Sequence, residues 1–324
     1  MNPKTLAKIY HPVRALSLGE LPSSVDKLGD DKSSQCSVTC AYLVNLVGMC
    51  RNVTVLWCKN FVNLSLHITV DIPGDENTHI YKIEIKPWQF WSKKGLKSFE
   101  VEGKRVDVFW DLRAAKFPTN SPEPSGDYYV ALVYAEEVML LLGDLKKKAY
   151  KKTKSRPSLV DAILVYKKEH VFAKKSFTTR GKFDQMKKEH EIVVENSFAG
   201  PRDPEMWISV DGIVLVHITN LQWKFRGNQT ILINKMPVQV YWDVHDWMFG
   251  TPGAGHGLFI FKPGAPDLTR YEKEKDGTSG GESTDSGSTS TAMTTNTTTD
   301  EGSRFIQGQS YSEFSLFLYA WKIE

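Results

Sequence analysis

The sequence predicts an all-β protein of two related antiparallel β-units, of sandwich or barrel type, joined by a short basic helical linker. Three observations lead there. Short runs rich in Val, Ile, Phe, Tyr and Trp follow one another, with Gly, Asn, Asp or Pro between them, which is the pattern of strands and turns. No amphipathic stretch separates the runs, as a βαβ chain would require. One string also returns: VDVFWDL at 106–112 reappears as VQVYWDV at 238–244.

Residues 1–35 are polar, and Pro, Gly, Ser and Asp dominate their later part; such a composition predicts a disordered tail. A first β-unit is expected over 36–145, from SVTCAYLVNLVG through NVTVLWCKN, LSLHITVDI, YKIEIKPWQFW, KSFEVEG, KRVDVFWDL and DYYVALVY to EVMLLLGD. The pattern breaks at LKKKAYKKTKSRPS, 145–158. LKKKAYKKT can form a short helix that Pro157 would stop. This basic linker, with the strand that leads out of it, spans 146–169. The second unit is expected over 170–324. It contains a Ser/Thr/Gly/Asp-rich stretch at about 264–304 that is nearly free of apolar residues, read as a disordered loop. SEFSLFLYAWK then closes the chain as a buried strand.

The returning string belongs to a longer repeat. Residues 91–117 and 223–249 align without a gap and share Trp91/Trp223, Gly95/Gly227, Val106/Val238, Val108/Val240, Trp110/Trp242, Asp111/Asp243 and Phe117/Phe249. This reads as a duplicated β-hairpin, with turns at Glu102-Gly103-Lys104 and Asn234-Lys235-Met236. The two-residue period puts Val106, Val108 and Trp110 on one face, and Val238, Val240 and Trp242 likewise. Trp110 and Trp242 are therefore expected as equivalent core residues. The recurrence of Trp91 as Trp223 argues for core positions there too. Asp111 and Asp243 are expected to project to the opposite face, or to end their strands by accepting from turn amides. Looser matches pair 68–71 with 208–211, 129–133 with 258–261, and 138–142 with 314–318. Two WD dipeptides this far apart do not make propeller blades.

Several strings together resemble the plant family known as "domain of unknown function 868": QCSVTCAYLVNLVGMCRNVTVLWCKN, KSFEVEGKRVDVFWDLRAAKF, EEVMLLLGDLKKKAYKKTKSRPSLVDAILVYKKEHVFAKKSF, DPEMWISVDG, LQWKFRGNQT with VQVYWDVHDWMFG, and GHGLFIFKP. The resemblance covers about 35–263 and the closing strand. It implies a land-plant protein and a variable insertion at 264–304. It implies no activity, substrate or catalytic residue.

Composition narrows the functional classes. A net charge of +3 over 324 residues is too mild to argue by itself for a polyanionic partner. No stretch of about 18 apolar residues is present to span a bilayer, and MNPKTLAKIYHPVRALSLGELPSS lacks the apolar run of a signal peptide. A cytoplasmic or nuclear protein, not a secreted one, is expected. The sequons at Asn52, Asn63, Asn228 and Asn296 are then chance matches. Cys36, Cys40, Cys50 and Cys58 lack the paired spacing of a zinc site, so reduced thiols are expected.

The densest polar group is Asp243, His245 and Asp246, followed by His256 in G-A-G-H-G. Two imidazoles and two carboxylates are the groups that bind a metal or work as an acid–base pair; the competing reading is a strand end and a polar loop. A basic patch is formed by Lys146, Lys147, Lys148, Lys151, Lys152, Lys154 and Arg156. It contains one aromatic residue, Tyr150, so nucleic acid is not expected as a partner. Trp88, Phe90 and Trp91 beside Lys93 and Lys94 make a second mixed patch, in which Trp88 is the better exposed candidate. No G-x-S-x-G, P-loop or dinucleotide fingerprint occurs. The expectation is a non-enzymatic binding or interaction module for an unknown protein or small molecule, with no cofactor and no catalytic residue. A hydrolase or metal-dependent enzyme with its site near 243–256 is one alternative. A peripheral membrane or phosphate-binding protein using the basic linker is another.

Overall fold

Five hairpins set the local geometry. They join β1 (Cys36–Leu46) to β2 (Met49–Lys59), β5 (Lys94–Val101) to β6 (Lys104–Asp111), β7 (Tyr129–Tyr134) to β8 (Glu137–Gly143), β13 (Glu205–Val210) to β14 (Ile213–Ile218), and β15 (Arg226–Ile233) to β16 (Met236–Asp243). Each turns on two residues of positive φ, such as Glu102-Gly103 and Asn234-Lys235. That turn matches the right-handed twist of the flanking strands. The remaining elements are β3 (Leu64–Val70), β4 (His79–Ile85), α1 (Lys146–Thr153), β9 (Arg156–Pro157), β10 (Ile163–Ala173), β11 (Ser176–Gly181), β12 (His190–Ser197), α2 (His245–Phe249), β17 (His256–Pro263) and β18 (Ser315–Lys322).

The computed structural model describes residues 36–60, 63–71, 79–85, 93–119, 121–173, 175–183, 188–198, 203–251, 253–264 and 314–322. The expected tail at 1–35, the expected loop at 264–304 apart from Gly264, and Trp88, Phe90 and Trp91 lie outside them.

The protein is all-β, and among the described residues its sheets are open rather than closed into barrels. A nine-stranded sheet runs β15-β16-β17-β18-β10-β1-β2-β3-β4, beside a four-stranded sheet β11-β12-β13-β14 and a five-stranded sheet β5-β6-β7-β8-β9. One core lies between β1–β3 and β5–β8, around Val38, Val55, Trp57, Leu66, Val106, Val108 and Leu132. The other lies between β11–β14 and β10, β15–β18, around Ile192, Ile208, Val238, Val240, Phe259 and Leu318. Pairing is not wholly antiparallel: β10 runs parallel to β18, and β8 to β9. The β10–β18 pairing brings the last strand into the middle of the large sheet. Val38 on β1 lies opposite Glu169 on β10, so both cores occupy the same face of that sheet.

The repeated string forms the same hairpin twice. Val106, Val108, Val238 and Val240 are all buried. Gly95 pairs across the strands with Trp110, and Gly227 with Trp242. In both copies a Cβ on the glycine would collide with the indole ring. The two tryptophans are therefore half-buried plates that roof a glycine and pack on the core edge, not the fully enclosed residues that the alternation suggested. Trp223 departs further from expectation. It is 83% exposed, because it sits in the turn before β15, where its N–H donates to the Asn220 carbonyl. Only its twin falls outside the described residues.

The duplication also reaches a buried polar position at the start of β2 and β12. Val53 pairs with Val70 as Ile192 pairs with Val210, and two residues earlier stand Arg51 and His190. Both are buried. Arg51 ion-pairs with Glu102 at 2.6 Å; His190 meets Asp211 at 2.8 Å and Asn234 at 3.3 Å. Glu102 and Asn234 hold the same place in the repeated turn.

Where the two cores meet, Lys167 on β10 is buried. Its Nζ lies 3.0 Å from Glu123 and 2.8 Å from Glu169 and donates to the Arg180 carbonyl of β11. Thr179 Oγ1 donates to Glu169 at 2.6 Å. Burial alone would lower the Lys167 pKa; Glu123 and Glu169 outweigh it and hold the ammonium charged.

Two stability measurements check these assignments. Gly95→Ala and Gly227→Ala should each cost about 1–3 kcal/mol, the range for overpacking, seen in urea unfolding as a lower midpoint with an unchanged slope. Lys167→Met should cost about 3–5 kcal/mol by leaving buried carboxylates uncompensated. The triple change Lys167→Met/Glu169→Met/Glu123→Gln should recover much of that loss.

Candidate functional site

Alternation along three neighbouring strands places aromatic rings on the sheet face that carries neither core. On β18, Leu316, Leu318 and Ala320 point into the core, so Phe317, Tyr319 and Trp321 point out. On β10, Lys167, Glu169 and Val171 point inward, and Tyr166, Lys168 and His170 outward. On β17, Gly257, Phe259 and Phe261 are buried, and His256 faces out with Leu258 and Ile260. The registers set His170 beside Tyr319 and His256 beside Trp321.

The outward rings touch one another. Tyr166 and Phe317 meet edge-on at 6.3 Å between centroids. His170 lies 4.9 Å from Tyr319. His256 lies 5.3 Å from Tyr319 and 4.8 Å from Trp321. Lys168 Nζ stands 5.0 Å from the Tyr319 centroid, within cation–π range. These side chains are half-exposed. They form a continuous aromatic and imidazole surface on strands far apart in sequence.

The sequence-predicted polar group sits near one end of this surface. His256 belongs to the ring cluster itself. Asp243 Oδ2 accepts from Arg226 Nε at 2.7 Å, and its Oδ1 accepts from the His245 amide at 3.3 Å. Asp246 Oδ1 lies 2.8 Å from His245 Nδ1, and that contact, more than any other, lowers the Asp246 pKa. The His245 ring packs against Phe225 and Phe249. Each carboxylate is thus engaged by a different cation or ring, and they do not converge on one point. Among the described residues no group of three or more His, Cys, Asp or Glu side chains could hold a metal ion.

Asp111, the counterpart of Asp243, accepts from the Arg113 amide at 3.3 Å and from the guanidinium at 2.9 and 2.7 Å. Arg113 holds its carboxyl below the usual range. Both repeated aspartates therefore accept from the amide two residues on, and each has recruited its own arginine.

Lys146, Lys147, Lys148, Lys151, Lys152, Lys154 and Arg156 are all solvent-exposed on α1 and the turn into β9. Arg156 alone of them is ion-paired among the described residues, with Glu137 at 2.6 Å. A shallow cleft of ≈ 260 Å³ is lined by Asp111, Arg113, Ala114, Asp127, Leu145 and Lys148. Cys36, Cys40, Cys50 and Cys58 form no disulfide. Burial pushes the Cys40 thiol far up, and Tyr42 and Tyr128 beside it are raised for the same reason.

The ring surface went unread in the sequence, although one signal was present. In SLFLYAWK the aromatics stand at every second position, with Leu, Leu and Ala between them. A strand buried on one face alone would carry polar residues there.

His256 offers a direct check. Its pKa is lowered from 6.5, first by burial and then by Lys168, while Asp246 and Asp243 oppose the shift. The folded protein thus binds this proton less readily than the unfolded chain. The resulting stability is present above 6.5 and is lost as pH falls through the folded-state value. An NMR titration should place His256 below 6.5, and Asp246→Asn should lower it further. A value above 6.5 would show that the carboxylates dominate.

None of the helices among the described residues is long and apolar enough to cross a membrane. No curated protein and no solved structure matches the chain. A family model does match, over residues 33–322, a span that contains both copies of the repeat and all three strands of the ring surface. The chain belongs to the family described as "Plant protein of unknown function (DUF868)".

Proposed function

We propose that the chain is a non-enzymatic binding module of the plant cytoplasm or nucleus, and that it takes its protein or small-molecule partner on the ring surface of β10, β17 and β18. The observation that carries this reading is the cluster of Tyr166, His170, His256, Phe317, Tyr319 and Trp321 on an outward sheet face. A solvated face of an antiparallel sheet ordinarily carries polar residues. Contiguous, partly exposed aromatics on such a face instead suggest an interaction surface. Tyr and Trp give large contact area with little side-chain entropy to lose, and here mutual packing restrains them before any partner arrives.

Two buried reactive groups are poorly suited to catalysis. Cys40 is held as a thiol by burial, so it lacks the thiolate a nucleophile needs. Lys167 is held as an ammonium by Glu123 and Glu169 against the effect of burial, so it is no general base.

Partner capture from plant extract, read by native mass spectrometry, tests the reading. Tyr319→Ala and Trp321→Ala should each weaken capture by about tenfold or more, as hot-spot aromatics do, while circular dichroism keeps the β signature. Undiminished capture by both variants would remove the ring surface from the account. A purified protein that carries stoichiometric metal, lost on Asp243→Asn, would favour an enzyme.

A further inference from the structure

A second surface lies on the other layer of the protein. Helix α1 covers the outer face of the five-stranded sheet, where its Ala149 is buried against Tyr129, Ala131, Val133 and Val138. With Ala149 inward, the helical period turns Lys147 and Lys151 directly away from the sheet and sets Lys148 and Lys152 together on one flank. None of the lysines at 146, 147, 148, 151, 152 and 154 has an ion-pair partner among the described residues.

Lys151 and Lys152 in the last turn suit the helix dipole, but helix stability does not select the lysines of the first turn. The first turn contains no acidic residue and there is no side-chain N-cap. Lys146, Lys147 and Lys148 therefore face the positive end of the helix dipole, where cations are unfavourable. Lys147/Lys151 and Lys148/Lys152 are like-charge pairs one turn apart, which also destabilise a helix.

Just past the helix the chain exposes apolar side chains. Leu159 is 93% exposed, Val160 57% and Ile163 41%. Ser158 Oγ accepts from the Val160 amide in a turn that presents Leu159 at its tip. Cations alone suit any polyanion. Cations beside a protruding Leu-Val tip suit a surface that is charged outside and apolar beneath.

We propose that α1 and the 158–160 tip form a docking site for an anionic lipid bilayer, with the lysines on the headgroups and Leu159 and Val160 in the acyl boundary. Peripheral binding needs two such signals, since neither a few cations nor one short apolar contact holds a protein stably. Nucleic acid is the less fitting polyanion. Tyr150, the one ring among these cations, is half-buried against the sheet, and base stacking wants exposed rings. This inference is independent of the ring surface and concerns a different sheet.

Flotation of the full chain with phosphatidylcholine vesicles, with and without phosphatidylserine, tests it. Binding should require phosphatidylserine and weaken as salt rises. Lys147→Glu/Lys148→Glu should reduce binding by about tenfold or more. The same variant should keep or raise the melting temperature, because it places carboxylates in the first turn, four residues before Lys151 and Lys152. Leu159→Ser should lower the binding that persists at high salt. The proposal is overturned if the chain ignores phosphatidylserine vesicles, or if Leu159→Ser binds like the wild type at all salt concentrations. It is equally overturned if a single-stranded oligonucleotide or inorganic phosphate strips the chain from the vesicles at lower ionic strength than sodium chloride does.

Discussion

A buried ammonium ties the halves of this protein together. Removing Lys167 from water is costly unless opposite charge and hydrogen-bond acceptors surround it. The acceptors come from separate places: Glu123 from the loop after β6, Glu169 from the same strand, and the Arg180 carbonyl from β11. Satisfying one cation therefore requires the first core's loop, the central strand and the second core's sheet to meet. The same strand pairs with β1 on one side and β18 on the other. Its inward side chains close the seam between the cores. Its outward ones, Tyr166, Lys168 and His170, begin the ring surface.

The repeat shows how duplication preserves packing solutions while side chains diverge around them. The glycine–tryptophan pair survives in both hairpins because the two positions depend on each other: the flat indole needs a neighbour without Cβ, and the bare glycine needs cover. Arg51 and His190 show a looser rule. The position must be polar and must reach the repeated turn, yet an Arg–Glu pair and a His–Asp–Asn set both meet that need. Asp111 and Asp243 lie between these extremes, with the same amide contact and different arginines.

The candidate surfaces differ in how visible they are along the chain. The basic patch is contiguous, so composition alone located it, although its relation to Leu159 needed the turn at Ser158. The polar group at 243–256 was located too, but proximity in sequence did not make its members converge. Asp243 turned to Arg226, and Asp246 to His245. His256 joined the rings of β18. That ring surface joins residues from 166–170, 256 and 317–321, and no local pattern says that β18 lies beside β10.

By itself the sequence determined the all-β class, the two turns of the repeated hairpin, the helix before Pro157 and the inward faces of the repeated strands. These follow from short-range physics: a period of two, turn chemistry, and proline's missing donor. Only the tertiary structure decided the strand order of the large sheet, the parallel pairing of β10 with β18, the burial of Lys167 and the depth of each tryptophan. Those depend on which distant strands become neighbours. Trp110 and Trp242 share the valine face as the alternation requires, yet how far each is covered depends on its place at the edge of a core. Trp223 lies only a few residues before a strand, and there the two-residue period has no hold on it.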